Sequence, residues 1–396
     1  MESMEKTEKI YYEDAYLQEF TATVLSADAD GRVVLDRTAF FPESGGQTCD
    51  RGVLVTEGGE LLTVKDVQIT GEVIRHLVET PCPLHAGDRV TGRIDWAHRF
   101  DNMQNHSGEH IFSGLVHSLH GYNNVGFHLS ETEMTMDFDG VLTEADLKEI
   151  EGKANEAVWK NVPVLQRFPG AEELETISYR SKKEVEGALR LIVIVGIDIC
   201  ACCAPHVRHT GEIGVIKLLS AQNYKGGTRV SVACGSRALA VFAEEHAFVT
   251  ETALHFSTSA DKLSERIAGL EEEIFRLKGT VLSLNDRLIG ERLAHLPGDR
   301  EHICILEADL SADQMRHTVN ALMEKKGGYC GVFAGSEETG YRFVIGIREG
   351  DARIAIENLR PHGQVKGGGN AQMVQGSVTG VSEKAIREVW DRFTSI

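Results

Sequence analysis

Between Leu263 and Leu288, apolar residues recur at alternating spacings of four and three without a break: Leu263, Ile267, Leu270, Ile274, Leu277, Val281, Leu284 and Leu288. Such a run specifies one long helix with a single apolar seam. Ser259 and Asp261 are the candidate N-caps. A helix over 260–293 rises roughly 50 Å at 1.5 Å per residue. It is either a core helix of a globular domain or a projecting arm or dimer seam, and its length favours the second. The seam divides the chain into a larger part before it and a smaller part after it.

Before the seam the pattern changes twice. Residues 18–96 read as short strands at Phe20–Leu25, Arg32–Leu35, Gly52–Val55, Leu61–Val67, Val73–Val78 and Arg89–Ile94, with turn signals between them. Strands this closely spaced predict a small β-barrel or sandwich. The next region is mixed. Asn102–Leu119 has helical periodicity, Met134, Met136 and Phe138 alternate as in a strand, and Thr143 with Asp146 forms a capping-box signal for a helix to about Lys160. Leu189–Ile199 is a nearly continuous apolar run, read as one buried strand, followed by strands at Gly214–Leu219 and Thr228–Cys234. After Pro297 come a strand at Ile303–Glu307, a helix at Ser311–Lys326, strands at Tyr329–Ala334 and Tyr341–Gly346, a glycine-rich loop at Lys366–Gly369 and a closing helix at Ser382–Phe393. The expected architecture is α+β and multidomain: a barrel over 1–96, an α+β domain over 97–256, a coiled-coil linker over 257–297 and a C-terminal α/β domain over 298–396.

A length of 396 residues agrees with two or three cores. Hydrophobic residues at 42% and charged residues at 26% are those of an ordinary globular protein, and no apolar run nears the roughly 20 residues of a membrane span. The polar, acidic N-terminus lacks the apolar core of a signal peptide, so a cytoplasmic location is expected. A net charge of −19 argues against indiscriminate binding to nucleic acid or anionic membrane. Any RNA partner must meet a confined basic patch. Of the eight cysteines, Cys200, Cys202 and Cys203 fall within four residues, which points to metal or redox chemistry instead of a disulfide framework.

Two short clips carry the chemistry. His106-Ser-Gly-Glu-His110 places two imidazoles at i and i+4, on one face of the predicted helix and one turn apart. Cys202-Cys-Ala-Pro-His206 offers a thiolate and an imidazole after a buried strand, a pair that suits zinc. Each clip alone is weak, and Cys200-x-x-Cys203 also spells a redox motif. No thioredoxin-like context surrounds that motif, and both clips fall in one predicted domain, so a single zinc site is expected. Glu109, three residues after His106, reads as a solvated carboxylate.

With these clips the chain resembles the editing domain of alanyl-tRNA synthetase and its free-standing relatives, the AlaX proteins, closest to their long form. The resemblance rests on His106-x-x-x-His110 and on Cys202-x-x-x-His206-Val-x-x-Thr-Gly-Glu-Ile-Gly. It extends to Asp36-Arg-Thr-Ala-Phe-Phe-Pro-Glu-Ser-Gly-Gly-Gln47, like the family's glycine-rich barrel motif, and to Gly367-Gly-Gly-Asn-Ala-Gln-Met-Val-Gln-Gly376, like the synthetase's C-terminal loop. Cys203-Ala204-Pro205 replaces the more usual Gly-Gly-Thr, and Ser44 stands where glycine is common.

The resemblance implies zinc-dependent hydrolysis, in trans, of the ester joining serine or glycine to tRNA(Ala). His106, His110, Cys202 and His206 would hold the Zn2+. The alternatives are deacylation of Ser-tRNA(Thr) and a non-catalytic tRNA-binding protein with structural zinc. Glu212 is the candidate base or supporting carboxylate. Thr38, Gln47, Asn123, Asn124 and His128 are candidates to read the serine hydroxyl. Lys182, Lys183, Lys366 and Gly368 are candidate tRNA contacts, with Arg180, Lys217, Lys225 and Arg229 as further basic residues. A homodimer through the seam and the C-terminal domain completes the expectation.

Overall fold

The computed structural model describes residues 6–181, 189–295 and 301–393. The chain forms two compact units, Met1–Thr252 and Ala253–Ile396.

In the first unit, six strands close into a barrel: β1 (Glu19–Ala27), β2 (Arg32–Leu35), β3 (Gly52–Thr56), β4 (Leu61–Thr70), β5 (Val73–Val78) and β6 (Arg89–Ile94), in the order β1-β2-β5-β4-β3-β6. Alternation drives the closure. Leu62 and Val64 point inward, and a register shift between Val64 and Asp66 lets Val67 point inward as well. Phe20, Phe40, Leu54, Ile74 and Val90 fill the interior. Gly92 lacks a side chain because a Cβ there would lie 2.3 Å from the Phe20 ring.

The segment between β2 and β3, which carries the Ser44-Gly-Gly-Gln47 motif, lies against helix α1 (Trp96–His120). Asp95 caps that helix by accepting from the His98 N–H at 3.2 Å, and Gly121 at φ +73° ends it. Met103, Ile111, Phe112 and Val116 bury α1 in the core of the α+β region. Around it stand a four-stranded antiparallel sheet and a three-stranded one. The first comprises β7 (Asn124–Leu129), β8 (Met134–Phe138), β12 (Ile216–Tyr224) and β13 (Gly227–Cys234) in the order β12-β13-β8-β7. The second runs β9 (Val164–Arg167), β10 (Leu191–Ile194), β11 (Asp198–Ala201). Helix α2 (Glu144–Lys160) has the Thr143–Asp146 capping box expected of it.

The single strand expected over Leu189–Ile199 is instead a hairpin, β10 and β11, turning at Gly196 (φ +75°). Leu191, Ile192 and Ile194 are all buried and the turn carries apolar Val195 and Ile197, so no polar punctuation marks the reversal. Helix α3 (Ser236–His255) is an element the sequence reading does not contain.

In the second unit, α4 (Leu263–Ala294) follows a 3-10 turn, Ala260–Lys262, preceded by Ser259. Among the described residues, Ile274, Leu277, Val281, Leu284 and Leu288 of its seam are each about half exposed. The five-stranded sheet comprises β14 (Ile303–Glu307), β15 (Cys330–Ser336), β16 (Gly340–Gly346), β17 (Gln364–Gly369) and β18 (Met373–Thr379), ordered β14-β15-β16-β18-β17 with β14 and β15 parallel. Met315, Val319 and Leu322 of α5 (Ala312–Lys325) pack with one set of strand residues. Helices α6 (Arg353–Leu359) and α7 (Glu383–Phe393) pack with another, making an α/β unit. The expected glycine-rich loop at Lys366–Gly369 is strand β17. A Cβ on Gly367 would lie 2.8 Å from the Cα of Gly376, so these glycines serve close strand pairing. Among the described residues no helix is long and apolar enough to cross a membrane.

His76 sits fully buried in the barrel, with Nε2 2.8 Å from the Thr38 hydroxyl and Nδ1 3.1 Å from the Val33 carbonyl. Burial pulls its pKa from 6.5 down to about 4, against the smaller upward pull of the Val33 bond. The folded state therefore binds fewer protons than the unfolded state below pH 6.5. Stability from this group is complete above that pH and is lost as pH falls toward 4. Between about pH 7.5 and about pH 5 the loss is about 2 kcal/mol. Urea unfolding at both pH values should show a smaller loss for His76→Gln than for the parent; equal losses would remove His76 as the source.

Candidate metal centre

His106 and His110 project from the middle of α1, where the helix is buried on nearly every side. Cys202 and His206 lie on the segment that leaves β11. Their four ligand atoms fall within 4.8 Å of one another, and the three histidines are 5% exposed or less. Cys202 Sγ is 3.5 Å from His106 Nε2 and 3.3 Å from His206 Nε2. The edge of a zinc tetrahedron with N and S ligands is about 3.5 Å long.

Each imidazole is oriented from behind. His106 Nδ1 lies 2.7 Å from Gln47 Oε1, His206 Nδ1 lies 3.0 Å from Ser107 Oγ, and His110 Nδ1 lies 3.3 Å from Asp198 Oδ2. Ser107 Oγ also accepts the Val207 N–H at 3.2 Å. The Gln47 carbonyl behind His106 places the proton on its Nδ1 and turns the Nε2 lone pair toward a cation, and the Asp198 carboxylate at ion-pair distance favours the same orientation of His110. Burial, with Cys203 adding to it, pushes the Cys202 thiol above its ordinary range, and Arg190 opposes them. A bound cation would offset that burial. The residues present therefore fit a zinc ion.

His110, Asp198 and Cys200 form a second close group. Here Arg180 already supplies the positive charge, its Nε and Nη2 donating to Asp198 Oδ1 at 2.7 Å and Oδ2 at 2.8 Å. Burial raises the Asp198 pKa, but the bonds from His110 and Arg180 outweigh it and hold the group below the usual carboxylate range. This corner supports the histidine and does not compete for the ion.

Glu109 is fully buried, contrary to the solvated position expected for it. Its Oε1 accepts from Ser113 Oγ and Asn124 Nδ2, both at 2.7 Å, and its Oε2 is 3.8 Å from His110 Nε2. Glu212 lies elsewhere. Its Oε2 accepts from the Tyr16 hydroxyl at 2.5 Å and its Oε1 from the His209 N–H at 2.8 Å, closing a short 3-10 turn. Thr38 bonds His76 inside the barrel, Asn123 bonds Asp139, and His128 is exposed on β7. The two departures from the family pattern meet each other, with Cys203 Sγ donating to Ser44 Oγ at 3.5 Å.

Lys182 and Lys183 lie outside the described residues. Lys366 and Gly368 are exposed on edge strand β17, and a Cβ on Gly368 would meet nothing. Arg180, Lys217 and Arg229 are engaged by Asp198, Glu151 and Asp137, and Lys225 lies over the Tyr224 ring at 4.9 Å. Sequence reasoning missed Arg190, which is buried with no carboxylate partner among the described residues. The available signal was a charge at the head of the apolar run Leu191–Ile194.

Gln47 reaches His106 from a different part of the fold, so its effect on the ion is separable from the ligands. Gln47→Leu should lower zinc affinity about 10- to 100-fold in competition with a chromogenic chelator. Parental affinity in the folded variant would show that Gln47 does not orient His106.

Residues 2–98 match the family model of class II (A) tRNA synthetases, and residues 189–231 that of the threonyl and alanyl tRNA synthetase second additional domain. The chain is 34% identical over 304 residues to an alanine–tRNA ligase of Methanothrix thermoacetophila, covering 74% of this chain and 33% of that protein. It is 31% identical over 402 residues to the ligase of Pyrococcus furiosus, covering 97% of this chain and 43% of that protein. The alanyl-tRNA editing protein AlaX-L of Pyrococcus horikoshii is 28% identical over 290 residues, 71% of this chain and 69% of that protein. The chain thus spans less than half the length of the ligases it matches. It is related to the alanine–tRNA ligases and carries a tRNA-synthetase-related additional domain around the second metal clip.

Proposed function

We propose that the protein is a hydrolase acting in trans on tRNA(Ala) wrongly charged with serine or glycine. It would cleave the aminoacyl ester at a zinc centre held by His106, His110, Cys202 and His206. The observation that carries this reading is the convergence of two clips distant in sequence, with each imidazole oriented from behind. The likeness to a protein named as an alanyl-tRNA editing protein supports it.

When bound, the ion supplies Lewis acidity toward an ester carbonyl or a water. Four protein donors fill a tetrahedron, so handling the attacking water falls to nearby side chains. Glu109 is well placed for it, because Ser113 and Asn124 fix its orientation and its Oε2 stands 3.8 Å from His110 Nε2. Its part is to accept a proton from the water. Glu212, bound at both oxygens within its cap, shapes the turn after His206.

Of the residues expected to read the serine hydroxyl, Gln47 is the best placed. Its Oε1 faces His106, while its Nε2 is buried without a hydrogen-bond partner among the described residues. A buried donor left unmet is costly. A substrate oxygen that meets it is favoured over a methyl group that does not. Thr38, Asn124 and His128 would act through the surrounding structure. Lys182, Lys183, Lys366 and Gly368 stay as tRNA contacts in this reading, and a second copy of the chain would cover the α4 seam.

The pure protein is to be incubated with Ser-tRNA(Ala), Ala-tRNA(Ala) and Ser-tRNA(Thr), and free amino acid followed. Serine should be released from the first, with alanine left in place on the second. Because a matched family model also names threonyl synthetases, release from Ser-tRNA(Thr) alone would move the substrate to that tRNA. No release from any, with zinc bound, would leave a binding protein. Glu109→Gln should lower kcat by about 10²- to 10⁴-fold with zinc content and KM kept. For the seam, equilibrium sedimentation should give a dimer that Leu277→Glu with Leu284→Glu converts to monomer; a monomeric parent would rule the pairing out.

A further inference from the structure

A cleft of about 410 Å³ opens beside His206, walled by Tyr16, Gln166, Arg190 and Arg208. Arg190 is 7% exposed. Its Nη1 donates to the carbonyls of Cys202 (3.0 Å) and Ala204 (2.8 Å), and its Nε donates to Gln166 Oε1 at 3.2 Å. Among the described residues its Nη2 makes no hydrogen bond and no carboxylate pairs with it. By contrast, Arg99, Arg180, Arg208, Arg229 and Arg237 each have an acidic partner. Asp14, on the cleft wall, is engaged by Arg208 Nη2 at 3.0 Å and by the Tyr16 N–H at 2.9 Å, and Glu13 is exposed at the rim. A guanidinium always carries its charge, and burying one without an anion is unfavourable. The Cys202 and Cys203 sulfurs favour the charge of Arg190 from one side, and with no carboxylate paired to it among the described residues it can meet an anion that enters the cleft.

The surroundings narrow the chemistry. Arg190 lies over the Tyr12 ring at 5.1 Å, and Arg208 over the Tyr16 ring at 4.2 Å. An aromatic wall backed by a cation, Tyr16 with Arg208, beside an anion subsite suits a nucleotide more than a lone small anion. Position narrows it further. Arg190 grips the carbonyl of Cys202, itself a residue of the metal cluster, and His206 lines the same cleft. An aminoacyl ester on a terminal ribose stands one nucleotide from its own phosphodiester. We propose that Arg190, with this cleft, binds the phosphodiester nearest the ester-bearing 3′ end of an RNA strand. This rests on the hydrolase reading above for the identity of the strand.

The probe is a fluorescent single-stranded RNA ending in cytidine-cytidine-adenosine, with either a natural or a neutral methylphosphonate final linkage, titrated into the full chain. The neutral linkage should weaken binding to the parent about 10- to 100-fold, the range of a charge-assisted contact. Arg190→Gln should bind both probes equally, at the level the parent shows for the neutral one, and Arg190→Lys should restore part of the difference. Equal binding of both probes by the parent would overturn the proposal, as would an undiminished linkage effect in Arg190→Gln with zinc still bound. The change on the probe leaves the protein intact, so misfolding of the variant cannot imitate the result. An Arg190-dependent linkage effect without hydrolysis of any aminoacyl-tRNA would sink the hydrolase reading and leave this subsite standing. Hydrolysis without the linkage effect would do the reverse.

Discussion

Arg99 and Asp50 form an ion pair with both side chains wholly buried, and the candidate site is assembled around it. The guanidinium donates to Asp50, to the Ala15 carbonyl at 2.9 Å and to the Ala39 carbonyl at 2.5 Å, while Asp50 accepts the Phe41 N–H. One cation thus ties the N-terminal segment, both ends of the glycine-rich motif and the first turn of α1 together. Removing either partner from such a pair strands a buried charge at a cost of about 3–5 kcal/mol. Two and three turns further along α1 stand His106 and His110, and three residues before Asp50 stands Gln47. The distance from Gln47 to His106 is set by this joint.

The cluster draws its supports from separate elements. Gln47 comes from the barrel motif, Ser107 from α1 and Asp198 from β11, and each holds one imidazole. Arg180 in turn neutralises Asp198. A site with supports so distributed exists only when barrel and α+β region are packed together, which explains why one unit contains both. The contact between Cys203 and Ser44 has the same logic: two positions that depart from the family pattern are neighbours across this joint.

Much of the fold is legible in the sequence because it rests on local periodicity. The barrel strands, the Thr143 capping box and the long helix follow from spacing alone. Sequence and structure part where one local pattern serves two structures. An apolar run reads the same as one buried strand or as a buried hairpin, and Gly196 alone marks the difference. Gly367–Gly369 reads as a flexible loop, yet those glycines permit the close pairing of β17 with β18. Glu109 reads as solvated because a carboxylate at i+3 on a helix normally is, whereas α1 is surrounded by protein on that side as well.

The sequence by itself determined the candidate ligand types and their pairing into two clips, since i and i+4 on a helix or across a turn is a local geometry. It also determined the kinship that makes zinc the expected ion. Only the tertiary structure decided that the two clips meet, which atoms orient each ring, and that Glu109 lies against the cluster while Glu212 is taken up in a cap. It alone left Arg190 buried without a carboxylate partner among the described residues. These outcomes depend on contacts between residues as many as 196 positions apart, such as Tyr16 with Glu212. Periodicity reports which face a residue occupies, but only packing of the whole unit decides what that face meets.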